Sequence, residues 1–235
     1  MYKVLGLLGI WKPAIIEAAD DSGKTPLMCA VSGESASVTK LLLDKGADLE
    51  AKSHNGGTAL SINAGGSRPV IRLLLERGAD VEVRNNRGES PLIKASRFPT
   101  ADGVQLLLQY GADVDGQDWG CGNTALMRAI EEDRSETVKV LVEHGANLEL
   151  TNNKGHTAFL IACELGLLDI ARLLLDKGVD VESQDPDGTS ALSRACDGGY
   201  DSVVELQLKH DADVKSQNAV GATPLTCAAA AWDGG

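Results

Sequence analysis

The sequence predicts an all-α, helical-repeat solenoid with β-hairpin fingers, built from about six repeats plus a C-terminal half-repeat. Three features support this: a glycine recurring every 33, 32, 34, 33, 33 and 33 residues, a Thr or Ser two positions after each of these glycines, and a leucine-rich triplet later in most repeats. The recurring glycines are Gly23, Gly56, Gly88, Gly122, Gly155, Gly188 and Gly221. A fixed period of this length indicates similar units that bury their apolar faces against one another.

Each repeat is predicted to begin with a short inner helix. The hydroxyl residue that follows the glycine can accept a hydrogen bond from an otherwise unpaired N–H of the first helical turn, so it is predicted to be the N-cap. These residues are Thr25, Thr58, Ser90, Thr124, Thr157, Ser190 and Thr223. Pro26, Pro91 and Pro224 follow their caps directly, at the helical position where a missing N–H costs least.

A longer outer helix is predicted next, because an apolar triplet recurs, as in Leu173, Leu174 and Leu175. A glycine ends each of the first five outer helices, at a position that favours a left-handed backbone. These glycines are Gly46, Gly78, Gly111, Gly145 and Gly178. Asp211 replaces this glycine in repeat six. A polar turn then leads into the next cap and predicts a hairpin finger.

This combination of turn, T-P-L motif, alanine-containing helix, leucine triplet and G-A-D-V resembles the ankyrin repeat over about residues 20 to 231. The resemblance implies units of two antiparallel helices with a projecting hairpin. We therefore expect an N-terminal capping segment over 1–19, with one helix from Pro13 to Ala19, and a repeat domain over 20–235. The repeats are expected to start near residues 20, 53, 85, 118, 152, 185 and 218.

Several positions depart from the family pattern. The position that is usually His, three residues after the cap, is never His in this chain, so the usual side-chain network at the finger base is not expected. Repeat two carries Asn63 where Ala is expected, and repeat six carries Gln207 within its apolar triplet. The finger of repeat four is one residue longer and contains Trp119 and Cys121.

Composition excludes several classes of function. The net charge of −12 opposes non-specific binding to nucleic acid or to an anionic membrane, because both need a positive field. The apolar runs are too short for a membrane span. The five cysteines form no C-x-x-C pair, and their odd number favours a reducing, intracellular location, either cytoplasmic or nuclear.

Catalytic and ligand-binding motifs are also missing from the sequence. It contains no phosphate-binding glycine loop and no zinc-type grouping of His and Cys, and the four histidines are scattered. We therefore predict no catalytic residue, no cofactor and no metal site, and a protein that is not an enzyme. Cys163 and Cys196 occupy equivalent inner-helix positions and are interpreted as small buried residues.

One set of charged residues has two interpretations. Lys94, Arg128 and Arg194 each lie four residues after an N-cap, and Arg97 lies one turn beyond Lys94. Their stems can cover apolar surface, or they can form a cationic stripe on the concave face that prefers an acidic or phosphorylated segment. Nearby acidic residues can neutralise this stripe. They are Glu131, Glu132, Glu164 and Asp197.

The resemblance implies a scaffold that binds a partner protein or peptide through its hairpin tips and inner-helix face. Tryptophan is frequent among residues that dominate binding energy, which makes Trp119 a candidate. The candidate partner-binding residues are Trp119, Lys94, Arg97, Phe98, Arg128, Arg194 and His156. The alternative is an ankyrin segment of a larger enzyme or signalling protein whose chemistry lies elsewhere. We expect a monomer, with end-to-end dimerisation as the alternative.

Overall fold

The computed structural model describes residues 13–232 and divides into two compact units. Unit 1 comprises Met1–Ala95 and Ala101–Asp113, and unit 2 comprises Ser96–Thr100 and Val114–Gly235. Helices of 4 to 9 residues, joined by turns, build both units. The predicted helical-repeat fold is therefore observed in each unit.

The helices follow the predicted alternation of inner and outer helices. In chain order they are α1 (Pro13–Ile16), α2 (Pro26–Ser32), α3 (Ala36–Asp44), α4 (Ala59–Ile62), α5 (Arg68–Glu76), α6 (Pro91–Ala95), α7 (Asp102–Gln109), α8 (Ala125–Glu131), α9 (Ser135–Glu143), α10 (Ala158–Glu164), α11 (Leu168–Asp176), α12 (Ala191–Asp197), α13 (Asp201–Lys209) and α14 (Pro224–Trp232). The even-numbered helices are inner helices, and the odd-numbered helices from α3 onwards are outer helices. The first helix is shorter than the predicted one and ends at Ile16.

The N-caps act as predicted. The Thr124 hydroxyl accepts a hydrogen bond from the Met127 N–H at 3.3 Å, and the Thr157 hydroxyl accepts one from the Leu160 N–H at 3.3 Å. The other caps make the same contact three residues ahead. They are Thr25, Thr58, Ser90, Ser190 and Thr223. A cap of this kind stabilises a helix by about 1 kcal/mol, so it fixes where each inner helix begins.

The ends of the outer helices also confirm the sequence prediction. Gly145 has a φ of 82°, in the left-handed region that only glycine adopts without strain. Asp211, at the equivalent position of repeat six, also adopts this conformation, with a φ of 63°. Aspartate tolerates it better than most residues, so the turn is preserved without glycine.

The fingers are hydrogen-bonded turns rather than extended strand pairs. Within the described residues, the only strand-type pairing is an isolated antiparallel bridge between Gln184 and Ser190. Neighbouring fingers of unit 2 are joined instead by single backbone bonds. The Asn153 N–H donates to the Cys121 carbonyl at 2.8 Å, and the Ala219 N–H donates to the Asp187 carbonyl at 2.8 Å. These bonds fix the spacing of successive fingers.

Two polar residues lie where the family pattern expects apolar ones, and each finds a backbone partner. In unit 1 the Asn63 amide donates to the Val31 carbonyl at 2.7 Å. In unit 2 the Gln207 side chain is fully buried and its amide donates to the Ala191 carbonyl at 3.4 Å. The hydrogen bonds reduce the cost of burying these amides.

The last inner helix is covered less well than the others. Leu192 in α12 is 2% exposed, whereas Leu225, its equivalent in α14, is 77% exposed. Val220, in the preceding finger, is also strongly exposed. Apolar contacts that stabilise the central repeats are therefore missing at the C-terminal end of unit 2.

Candidate functional site

The guanidinium of Arg128 is bound on two sides by carboxylates of its own repeat. Its Nη2 lies 2.7 Å from Asp118 Oδ2, and its Nη1 lies 2.8 Å from Glu131 Oε2. The Asp118 side chain is only 2% exposed, whereas that of Glu131 is 35% exposed. Arg128 is therefore fixed between one buried carboxylate and one that faces solvent.

Asp118 is fixed in turn by the backbone of its finger. Its Oδ1 accepts hydrogen bonds from the N–H groups of Gly120, Cys121 and Gly122, at 3.0, 2.8 and 3.2 Å. Burial alone would raise the pKa of Asp118, but the bonds from Arg128 and from these N–H groups outweigh it and hold the pKa below the ordinary value. The carboxylate is therefore charged at neutral pH and organises the turn that carries Trp119.

Arg194 in repeat six is also bound by two carboxylates, but the exposed one, Glu164, comes from the inner helix of repeat five. Its Nη2 forms a short ion pair with Asp185, whose side chain is 4% exposed, and its Nη1 lies 3.2 Å from Glu164 Oε1. The Asp185 Oδ1 also accepts bonds from the N–H groups of Asp187 and Thr189, both at 2.9 Å. Burial alone would raise the pKa of Asp185, but the bond from Arg194 and these backbone bonds hold the pKa below its ordinary value.

His156 connects this second ion-pair group to the finger of repeat five. Its Nε2 lies 3.2 Å from Arg194 Nη2, and its Nδ1 lies 3.5 Å from Glu164 Oε2. Burial, and then the adjacent Arg194 charge, lower the pKa of His156. The imidazole is therefore neutral at physiological pH and adds no positive charge to this region.

The ion pairs bear directly on the expected cationic stripe. Glu131 and Glu164 pair with arginines, as expected for local neutralisation, whereas Glu132 pairs with Arg134 at 3.9 Å. The stronger partners, Asp118 and Asp185, were not identified from the sequence. A signal was present, because each aspartate opens the finger of the repeat that carries the arginine, 10 or 9 residues earlier.

An open groove lies in unit 2 between repeats four and five. Its volume is about 380 Å³. Finger residues form one side of it, including Cys121, Asn153, Lys154 and His156, and the inner helices α8 and α10 form the other, with Glu131, Ile161, Glu164 and Leu165. We call this cavity the unit 2 groove.

Trp119 lies in the finger turn beside this groove, next to Gly120, which lines it. Trp119 is 67% exposed, so most of its surface faces solvent. Leu165, which lines the groove from the end of repeat five's inner helix, is 42% exposed. The groove therefore combines exposed apolar surface with the carboxylates of Glu131 and Glu164.

The remaining sequence candidates occupy other positions. Lys94 lies half-buried in α6 of unit 1, while Arg97 belongs to unit 2, where its carbonyl accepts a bond from Arg134 Nε at 3.0 Å. Phe98 is 41% exposed in the segment before α7.

The two cysteines at equivalent inner-helix positions differ in burial. Cys163 is fully buried, as expected, and burial raises the pKa of its thiol; Cys196 is only half-buried. Across residues 13–232, no group of three or more His, Cys, Asp or Glu side chains is placed to hold a metal ion. None of the helices in these residues is long and apolar enough to span a bilayer.

Comparison with known proteins decides the family. The family model described as ankyrin repeats in three copies matches residues 4–85, 37–118, 92–185 and 168–234, which together cover nearly the whole chain. The chain belongs to the ankyrin repeat family. The resemblance inferred from the repeated motifs is therefore confirmed.

Two relatives of this ankyrin repeat chain, one viral and one from mouse, match parts of its sequence. It is 47% identical over 66 residues to a putative ankyrin repeat protein, FPV031, of Fowlpox virus strain NVSL, covering 28% of this chain and 19% of that protein. It is 32% identical over 141 residues to the B-cell lymphoma 3 protein homolog of Mus musculus, covering 57% of this chain and 31% of the relative. The chain thus spans less than a third of either relative.

A solved structure supports the same fold. The ankyrin repeat domain of Bcl-3, described as a unique member of the IkappaB protein family, superposes with a TM-score of 0.78 at 26% identity. The match covers 88% of this chain and 95% of that domain. The ankyrin repeat architecture therefore extends over most of the chain.

Proposed function

We propose that this chain is a protein-binding scaffold that recognises its partner through the unit 2 groove and the adjacent finger tip. The observation that carries the proposal is the open groove between repeats four and five, flanked by the exposed Trp119. Membership of the ankyrin repeat family supports a role in protein interaction. The partner is a protein or peptide, and the proposed activity is binding without catalysis.

Trp119 is the residue to test first. An exposed indole beside a groove can bury a large apolar area on binding while contributing little to the folded chain. We expect Trp119→Ala to weaken binding of a captured partner by roughly 1 kcal/mol or more, which is about fivefold in affinity. Isothermal titration of the purified partner against wild type and variant measures this effect.

The matched control is Tyr110→Ala. Tyr110 is another exposed aromatic residue, but it lies in unit 1 at the end of α7. Tyr110→Ala should leave the affinity for the partner unchanged. Trp119→Ala and Tyr110→Ala should both melt at nearly the wild-type temperature. Equal affinities for wild type and Trp119→Ala would rule out the groove as the binding site.

The expectation of an acidic partner segment is not favoured by the ion pairs. Arg128 and Arg194 each already contact one buried and one exposed carboxylate. An acidic ligand would have to compete with carboxylates that are held in place by the finger backbone, so little binding energy is available from these guanidinium groups.

A second candidate function is that of an ankyrin segment within a larger enzyme or signalling protein. The relatives that support it are much longer than the regions that match this chain. The mass of the endogenous protein, measured by immunoblotting with an antibody against unit 2, distinguishes the two. A mass near the 24.6 kDa of this chain would rule out the second candidate.

A further inference from the structure

We infer that the unit 2 groove receives a lysine or arginine side chain from a basic segment of the partner protein. The inference rests on the proposed function and adds the chemistry of the segment that is recognised. Three features carry it: the carboxylates that face the groove, the internal neutralisation of its arginines, and the apolar wall beside them.

The two groove carboxylates differ from the two that lie beneath them. Asp118 and Asp185 are 2% and 4% exposed, and each occupies one side of an arginine. Glu131 and Glu164 are 35% and 42% exposed and line the groove. Because the buried aspartate already balances each guanidinium, the exposed glutamate contributes a negative charge that is not matched within its own cluster.

The groove glutamates retain capacity for a ligand. Glu131 accepts one bond from Arg128 and one from the Asn123 amide at 2.8 Å, and Glu164 contacts Arg194 and His156. An ionised carboxylate offers about four acceptor positions, so each can still accept a hydrogen bond from an ammonium or guanidinium group. Such charge-assisted bonds are stronger than neutral ones.

Charge in and around the groove favours a cationic ligand. The two clusters together contain four carboxylates and two guanidinium groups, those of Arg128 and Arg194. Lys154, which lines the groove, adds a third positive charge, so one net negative charge is left. His156 adds no positive charge, because its pKa is lowered. Unit 2 as a whole has 21 acidic and 10 basic residues, a net charge of −11, so a basic segment is also steered towards it.

The apolar wall suits the stem of a long cationic side chain. Ile161 and the exposed Leu165 line the cavity, and Trp119 lies beside it. Lysine and arginine bury their methylene groups against such surfaces while the charged end stays near water or a carboxylate. An indole face can add a cation–π contact.

The test uses the full chain and a random 12-residue peptide library displayed on phage. The wild type should enrich peptides with Lys or Arg at one fixed position. A synthetic peptide from that pool should lose about five- to tenfold in affinity for Glu131→Gln/Glu164→Gln, because each exposed charge pair contributes modestly. The wild-type affinity should also fall as salt is raised from low to physiological concentration.

The matched control is Glu136→Gln/Glu143→Gln. It removes two exposed negative charges from the outer helix α9 of the same unit, outside the groove. It should change the affinity less than about twofold, because neither residue lines the groove and salt screens exposed charges. Lys154→Gln should strengthen binding of the basic peptide. It removes a cation that lines the groove and belongs to neither ion-pair cluster. Melting curves verify that each variant is folded.

Other outcomes overturn the inference in distinguishable ways. Enrichment of acidic or uncharged peptides would contradict the inference that the groove binds a basic segment. If those peptides then bound Trp119→Ala more weakly than wild type, the groove would still be supported as a protein-binding site. No enrichment at all would overturn the inference, and the proposed function is then decided by the titrations of the captured partner. An equal loss of affinity in Glu136→Gln/Glu143→Gln would show that the overall charge of the unit, and not the groove, causes the effect.

Discussion

Units 1 and 2 share one repeat architecture but differ in charge. Unit 1 has 13 acidic and 12 basic residues, a net charge of −1, whereas unit 2 has 21 acidic and 10 basic residues and a net charge of −11. One ion pair from each unit shows two different degrees of burial. In unit 1, Arg77 pairs with Asp44 at the protein surface, and their side chains are 33% and 49% exposed. In unit 2, Arg128 pairs with Asp118, which is almost fully buried.

The residues that form the repeat are the same in both units and do not account for this difference in charge. Hydroxyl caps and left-handed glycines occur in both units at the same positions. They act through the local backbone, so they impose the same turn regardless of surface charge. Finger and inner-helix charges are free of that constraint, and in unit 2 two of the carboxylates, Glu131 and Glu164, line a groove.

The largest expected effect is the loss of a buried carboxylate. Asp118→Ala would leave the half-buried Arg128 with only Glu131 and would remove the acceptor for three backbone N–H groups. We expect it to lower the free energy of unfolding by about 2 to 4 kcal/mol. Asp44→Ala, which breaks the exposed pair of unit 1, should cost about 0.5 kcal/mol or less. Urea titration monitored by circular dichroism gives both values, and similar costs would contradict the distinction between the units.

A glycine substitution at the end of an outer helix should have the same effect in both units. Gly78 and Gly145 have φ values of 86° and 82°, and added Cβ atoms would meet no neighbour within 4 Å. The cost of Gly78→Val or Gly145→Val is therefore conformational, and we expect about 1 to 3 kcal/mol for each. Unfolding curves test this, and unchanged curves would exclude the left-handed turn.

Asp211→Gly is the converse substitution. Asp211 already adopts a φ of 63°, so glycine should relieve strain there and stabilise the chain by up to about 1 kcal/mol. The gain is limited, because aspartate tolerates this conformation. A lower melting temperature for Asp211→Gly would show that the side chain itself stabilises the turn.

Unit 2 should lose its structure from the C-terminal end. Leu225 is 77% exposed, whereas its equivalents in repeats four and six, Leu126 and Leu192, are 1% and 2% exposed. An end unit of a linear stack is held by one interface instead of two. Amides from about residue 183 onwards should therefore exchange with deuterium faster than those of repeats four and five. Equal protection throughout unit 2 would contradict this.

The contribution of the Asp118–Arg128 and Asp185–Arg194 ion pairs to stability should change with pH. The folded-state pKa values of Asp118 and Asp185 lie below their ordinary values, so their contribution is present above the unfolded pKa, about 3.9, and is lost as the pH falls through the folded values. We expect Asp118→Asn/Asp185→Asn to melt below wild type at pH 7, with the gap narrowing below about pH 4. Melting temperatures at pH 7, 5 and 3 measure it. A constant gap would show that the two ion pairs do not titrate as described.

The sequence by itself determined the repeat, its period, the caps and the helix-ending turns, because each depends on residues within a few positions of one another. It also identified Trp119 as unusual for its finger. The side-chain network at the finger base could not be read in the same way. Asp118 and Arg128 are 10 residues apart in the chain, and they meet at 2.7 Å only because the finger folds back beside the inner helix.

That contact also changes how the charges around Arg128 and Arg194 are interpreted. From the sequence alone, Arg128 and Arg194 have two interpretations: stems that cover apolar surface, or a cationic stripe that prefers an acidic segment. In the structure, buried aspartates bind both arginines and leave Glu131 and Glu164 facing the groove. Coulomb interactions depend on separations of a few ångströms and on burial. Only the tertiary structure could decide which charged side chains line the groove.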